Sequence, residues 1–242
     1  YDSNPLDPNR DLIWVKNWVR TDEPVSLTQQ QFEQLSDAQT QDFSNQYDEL
    51  LRSLVQNPEA TPNITSTIWK SIISNGNTSS VLQFPDAIHF SFGGLGVKMH
   101  ISEIGFQVDP DFSNFVTEIS HIIQTLYEFA RKGKFPLTRL MTIRIIKSTE
   151  ATLSNIFNHD PKTLYCGVDF LTVIGTPGWD EFIQLIAQRL FDKYKAKPHW
   201  GKEWENIPNV KSYLSDVLSD QIKQFEKVRA NDNSKLSNIF LS

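Results

Sequence analysis

The chain has 242 residues, of which 39% are apolar, and a formal net charge of −6. That is enough for one large domain or two small ones with a sizeable core. No basic patch of the kind that nucleic acid requires is present, and no apolar run approaches the ~18 residues of a membrane span.

The chain opens at Tyr1 with neither Met nor a signal peptide, as expected of an excised or processed piece. The expectation is a soluble protein, compatible with secretion. Residues 12–19 are β-branched and aromatic and read as a strand, with Trp14, Lys16 and Trp18 on one face. A Gln-rich helical region follows. Its stripe of Phe43, Tyr47, Leu50, Leu51 and Leu54 marks an ordinary amphipathic helix. Residues 57–63, with Pro58 and Pro62, are expected to break the chain ahead of a short apolar segment around Ile68–Ile73. The sequons at Asn63 and Asn77 are no more than chance supplies in a chain of this length. Residues 88–92 and 97–104 read as two strands joined through Gly93-Gly94-Leu95-Gly96. This is a hairpin rather than a phosphate loop, because the glycine spacing is wrong and no helix follows directly.

The clearest helix comes next, with Asp109 as cap, Pro110 in its first turn and Gly133 at its stop. Phe112, Phe115, Val116, Ile119, Ile122, Ile123, Leu126 and Ala130 form its expected buried face, with His121 beside it as a packed or surface residue. Residues 139–147 read as a strand with Leu140, Thr142, Arg144 and Ile146 on one face and Met141, Ile143, Ile145 and Lys147 on the other. Residues 164–174 are a nearly continuous apolar strand, typical of one covered on both faces. Cys166 lies in it as a buried, inert thiol. One cysteine and five scattered histidines do not make a zinc site. Thr176 and Pro177 are expected to open a helix buried by Phe182, Leu185, Ile186 and Leu190. A last helix over 209–228 is expected to bury Val210, Tyr213, Leu214, Val217, Leu218, Ile222 and Phe225. Strands and helices mix without a βαβ rhythm, so the expected class is α+β: a mixed, mostly antiparallel sheet covered by helices, mainly on one face, across 1–242.

Three residues stand out for chemistry. Arg144 lies between Ile143 and Ile145 and must project from the Thr142 face, as an ion pair at a sheet edge or as a site residue. Asp169 stands alone among apolar neighbours, as structural glue or as a site residue, and can pair with Arg144 if their strands are adjacent. Lys202 ends the turn Pro198-His199-Trp200-Gly201-Lys202, either in solvent or set against an anionic group.

The run Asp169–Gly178, with Gly175-Thr176-Pro177-Gly178 at its end, resembles the substrate-binding (cap) domain of the covalent-flavin type of cholesterol oxidase. That family belongs to the vanillyl-alcohol-oxidase group of flavoenzymes. The His-Trp-Gly-Lys turn resembles the sugar-lactone oxidases of the same group. So does the tail carrying Phe225, Arg229, Asp232, Asn238, Phe240 and Leu241. The resemblance is better over 139–241 than over 1–138. It implies a sheet roofing the ring of FAD, with FAD held mainly by a flavin-binding domain of the same protein outside this chain. It implies oxidation of an alcohol, a 3β-hydroxysteroid first and a sugar lactone as the alternative, with oxygen as acceptor. A flavin-free binding module derived from such a cap is the remaining alternative. Arg144 would stabilise the substrate oxygen or the reduced flavin, Lys202 would sit at the flavin edge, Asp169 would take a polar active-site position, and Thr142 and His199 would bind substrate. Thr142 stands where the family carries a glutamate, and threonine cannot ionise; isomerisation therefore loses its base. The chain alone is expected to be inactive.

Overall fold

The computed structural model describes residues 11, 13, 15, 19–25, 48–72, 81, 97–139 and 141–231, with side chains omitted for 68–72 and 231. The strand expected over 12–19, Phe43 and Tyr47 of the first stripe, the glycine hairpin over 88–96 and the tail beyond 231 lie outside this description, apart from scattered positions. The backbone packs as two compact units.

The first unit comprises Tyr1–His100, Thr125–Leu140 and Thr172–Trp179. Helix α1 (48–56) buries Leu51 and Leu54 completely against Val97 and Val173, with Val55, Ala60 and Ile64 packed on this cluster. Leu50 is 37% exposed instead of joining it, because one step along a helix turns the side chain by about 100°. Residues 57–63 do not break the chain. They form a 3-10 turn, Pro58–Ala60, and open helix α2, Thr61–Ile72, which absorbs the short apolar segment. Pro58 and Pro62 lie where a helix start has no use for their missing N–H.

The second unit comprises Ile101–Gln124, Met141–Leu171 and Asp180–Ser242. The fold class is α+β, as expected. Strands β1 (Met99–Val108), β2 (Thr142–Lys147), β3 (Leu164–Val173) and β4 (Lys197–Pro198) form one antiparallel sheet in the order β2-β3-β1-β4. β1 thus runs on to Val108 rather than stopping at 104, and β2 is shorter than the expected 139–147. One face of the sheet is apolar. Ile104, Phe106, Val168 and Phe170 are fully buried, as are Phe182, Ile186 and Leu190 of helix α4 (Trp179–Tyr194). Phe170 meets Phe182 edge-on at 5.6 Å between ring centres, and Phe106 meets Tyr194 at 5.4 Å. Each such side chain contributes about 1.5–3 kcal/mol of burial. Cys166 is fully buried in β3, and burial pushes its thiol up to about 12, so it is inert.

Helix starts differ from expectation in two places for one reason. Helix α3 begins at Ser113, not at Asp109-Pro110, because Phe112 adopts a left-handed backbone with φ 62°. Asp111 supplies the cap, its Oδ1 accepting from the Ser113 N–H at 3.0 Å. Helix α4 likewise begins after a left-handed residue, Gly178 (φ 85°). The Thr176 hydroxyl donates back to the Val173 carbonyl at 2.7 Å instead of capping the helix. A Cβ on Gly178 would come within 3.3 Å of the Lys134 and Phe129 side chains, so glycine is doubly required. The stop of α3 is as read, with Arg131 in the last turn and Gly133 at φ 70°.

The buried face of α3 also departs from expectation. Val116 is 59% exposed, and Glu118 is fully buried in its stead. Its carboxylate accepts from Arg189 through both oxygens, from Lys193 Nζ at 3.3 Å and from the Tyr194 hydroxyl at 2.8 Å. The last expected helix is two, α5 (Val210–Val217) and α6 (Ser219–Asn231), parted where Leu218 leaves helical geometry at φ −107°, ψ 14°. Val210, Leu214 and Leu218 are buried, but Phe225 on α6 is 38% exposed. Leu185 of α4 is also half exposed, at 49%.

Candidate functional site

The sheet face opposite α4 carries the charge. β2 and β3 pair antiparallel with Thr142 opposite Asp169 and Arg144 opposite Gly167. Directly opposed residues share a face, so Thr142, Arg144 and Asp169 lie together. β1 adds Glu103 from the other side of β3. A Cβ built on Gly167 would sit 2.8 Å from Glu103 Oε1, so the absence of a side chain at 167 leaves the room in which the glutamate lies.

Arg144 spans this gap. Its Nη2 donates to Glu103 Oε2 and to Asp169 Oδ2, both at 2.7 Å. The arginine side chain is 48% exposed, while those of Glu103 and Asp169 are 2% and 11% exposed. Two nearly buried carboxylates thus share one nitrogen of a half-exposed cation. Asp169 Oδ1 is buried and has no hydrogen-bond partner among the described residues. Burial, and then the neighbouring Asp169 charge, raise the Glu103 carboxyl above its ordinary value; Arg144 and His199 pull the other way and do not cancel the rise.

Past β4 the chain stays on this face. The His199 N–H donates to the Glu103 carbonyl at 2.9 Å, extending the β1–β4 ladder, in which Lys197 stands opposite Gly105. His199 Nδ1 accepts from the Gly201 N–H at 3.0 Å, and a Cβ on Gly201 would come within 3.2 Å of the imidazole. The glycine therefore allows the close approach expected of it. The Lys202 N–H closes the turn onto the His199 carbonyl at 3.0 Å. Lys202 is half-buried, and among the described residues it forms no ion pair. Lys197 is 8% exposed, and burial lowers its ammonium below the ordinary lysine range. The loop 148–163 reaches the same turn, where Trp200 Nε1 donates to the Leu153 carbonyl at 2.6 Å.

The structure therefore joins Arg144, Asp169 and Thr142, brings the His199 backbone against Glu103, and leaves Lys202 at the turn without joining the ion cluster. It adds Glu103, which sequence reasoning missed. The signal was available: Glu103 is a lone carboxylate in an apolar strand, the same pattern that singled out Asp169. Among the described residues no cluster of His, Cys, Asp and Glu could hold a metal ion, and no helix is long and apolar enough to cross a membrane.

A family model described as D-arabinono-1,4-lactone oxidase matches residues 8–238. Among solved structures the chain is similar to a "solvent-stable cholesterol oxidase", at 16% identity and TM-score 0.41 over 54% of this chain and 32% of that one. It is also similar to cholesterol oxidase from B. sterolicum, at 18% identity and TM-score 0.41 over 51% of this chain and 27% of that one. The chain thus matches about a third or less of the length of those two oxidases. No curated protein matches it.

Proposed function

Because the chain belongs to the D-arabinono-1,4-lactone oxidase family, we propose that residues 1–242 are the substrate-binding part of an FAD-dependent oxidase that oxidises a carbinol of a sugar lactone with oxygen as acceptor. The observation that carries this reading is the half-exposed Arg144 guanidinium held over two nearly buried carboxylates on the charged sheet face. A face built from Arg144, Asp169, Glu103, Thr142 and His199 suits a small polyhydroxylated ring better than a sterol, whose burial calls for an apolar wall.

The donor set also fits the edge of a flavin, which needs cations where negative charge collects; Arg144 and Lys202 would face it, and a further part of the protein would hold the rest. FAD, when bound, supplies the hydride acceptor. Arg144 stabilises negative charge on the substrate oxygen, and its two carboxylate partners fix its position. Thr142 and His199 offer a hydroxyl and an imidazole to the remaining substrate hydroxyls. Thr142 cannot ionise, but Glu103 brings a carboxylate to Arg144 from another strand.

The test is hydrogen peroxide formation by the intact protein, supplied separately with D-arabinono-1,4-lactone and with cholesterol. Peroxide with the lactone supports the reading. Peroxide with the sterol alone would return the first expectation, and none with either would favour a flavin-free binding module. Residues 1–242 purified alone are expected to be colourless; a stoichiometric yellow complex would refute the division of labour.

A further inference from the structure

Arg144 is the accessible member of its cluster. Its side chain is 48% exposed against 2% for Glu103 and 11% for Asp169, so a ligand at this face meets the guanidinium. A guanidinium carries five N–H donors in a planar fork, one on Nε and two on each Nη. Both carboxylates bond to Nη2, Glu103 through Oε2 and Asp169 through Oδ2, and among the described residues Arg144 makes no other hydrogen bond. The fork has two edges that offer a parallel pair of donors, Nε with Nη2 and Nη1 with Nη2. Nη2 belongs to both. Neither edge is therefore open to the bidentate grip by which arginine takes a carboxylate. The N–H groups left on Nε and Nη1 diverge, and each serves one oxygen at a time.

Charge points the same way. The two carboxyls also interact directly with each other. With both ionised, two anions meet one cation and a negative charge is left over; with one proton held between them, the cluster is neutral. In neither state does Arg144 carry a net positive charge to an incoming anion, and Lys197 and Lys202 form no ion pair with the two carboxylates. A hydrogen bond to an uncharged oxygen needs a donor and not a net charge, so the free N–H groups still serve a hydroxyl or a carbonyl. We propose that Glu103 and Asp169 make Arg144 a charge filter, which takes uncharged oxygens of the ligand singly and turns carboxylates away, so that the site accepts a closed sugar lactone and rejects the aldonate formed when its ring opens. The inference rests on the reading that a sugar lactone is the substrate, and it names the form of it that binds. Rejection by a like charge set beside the contact is the repulsive half of specificity. A lone, unpaired arginine at the same place would favour the aldonate instead.

Two measurements test it. The first follows the Arg144 side-chain N–H resonances of the 242-residue chain by NMR at neutral pH. Sodium acetate and acetamide, a carboxylate and an uncharged carbonyl of the same shape, are the probes, with sodium chloride as the ionic-strength control. In wild type acetamide should move the Nε–H resonance, and acetate should move it no further than chloride does. Glu103→Gln and Asp169→Asn each keep the volume and an acceptor while removing one negative charge. Either should bind acetate at Arg144 at least about 10-fold more tightly than wild type. Because the readout is the Arg144 N–H itself, an anion held at Lys197 or Lys202 does not imitate the result. Acetate binding at Arg144 in wild type as strong as that of acetamide, or no gain of acetate in either variant, would overturn the proposal. The second measurement is inhibition of peroxide formation in the intact protein, with D-arabinono-1,4-lactone as substrate and D-arabinonate, the same carbon chain opened to a carboxylate, as inhibitor. Inhibition should be weak in wild type and about 10-fold tighter in Glu103→Gln. Equal inhibition of the two would overturn the proposal. If Arg144 rejects acetate but no lactone is oxidised, the filter stands and the substrate reading fails. If lactone is oxidised but Arg144 takes acetate freely, the reverse holds.

Discussion

Two buried carboxylate clusters lie in the second unit, and they are built on opposite plans. Glu118 on α3 is fully buried and accepts hydrogen bonds from Arg189, Lys193 and Tyr194. One anion meets two cations and a hydroxyl. Burial acts to raise its carboxyl, but the hydrogen bonds from Arg189, Tyr194 and Lys193 outweigh it and leave the group below the ordinary range. Glu103 and Asp169 invert the ratio: two anions share one nitrogen of Arg144, and one oxygen is left over. Burial first, and then the Asp169 charge, hold the Glu103 carboxyl above its ordinary value. The first cluster is satisfied and fastens α3 to α4. The second is under-satisfied and faces outward through a half-exposed arginine, which is the property a site needs and a structural pair avoids.

Arg144 is where the two clusters should differ most on mutation. Arg144→Ala strands two nearly buried carboxylates. On the proposed function, peroxide formation by the intact protein should fall by about 100- to 1000-fold. Thermal unfolding of the chain should show a lower Tm at neutral pH that partly recovers on acidification, as the stranded carboxylates protonate. Unchanged turnover would remove Arg144 from the site.

Next in size is Glu118→Gln. It leaves the hydrogen-bond acceptor but removes the charge that Arg189 and Lys193 require, and should cost about 3 kcal/mol in chemical denaturation. It should leave the pH profile of turnover unchanged, because this cluster lies on the other side of the sheet's chemistry. A shift in that profile would join the two clusters and dissolve the contrast.

Gly167→Ala should cost about 1–3 kcal/mol by overpacking, since the added carbon meets Glu103 Oε1 at 2.8 Å. Ala at Gly133, where a Cβ would meet nothing within 4 Å, should cost only the strain of its φ of 70°, about 1 kcal/mol. Equal losses at the two glycines would mean that Glu103 gives way freely and is not confined.

Much of the candidate site was legible in the sequence, and the part that was not has a definite cause. The two-residue period placed Arg144 on the Thr142 face. The lone carboxylate in an apolar run singled out Asp169. The prediction that their strands pair is met, with Thr142 opposite Asp169. Glu103 stayed hidden because its role depends on β1 lying next to β3, although 55 residues and helix α3 separate them in the chain. Period and composition report which face a side chain takes, not which strand stands beside it. The helix starts erred for a local reason. Asp109-Pro110 and Thr176-Pro177 carry strong start signals, but a left-handed residue, Phe112 or Gly178, delays each helix by two or three positions. Sterics alone would not place a phenylalanine there. Glu118 was passed over because a charge on a helix is read as its wet face; only the cations of α4, more than seventy residues away, make its burial affordable.

The opposed clusters are tested most directly by the stability of Glu103→Gln and Glu118→Gln relative to wild type as a function of pH, by chemical denaturation of the 242-residue chain. A raised folded carboxyl favours the folded state below its unfolded value and loses that contribution as pH rises through the folded one. Glu103→Gln should therefore be neutral in acid and become relatively more stable as pH rises above the ordinary carboxylate range. A depressed carboxyl does the reverse, so Glu118→Gln should be destabilised at neutral pH and converge on wild type only as pH falls below that range. Opposite signs in separate pH windows are the predicted result. Destabilisation of the same sign and the same pH dependence in both variants would show two equivalent structural pairs and contradict the account.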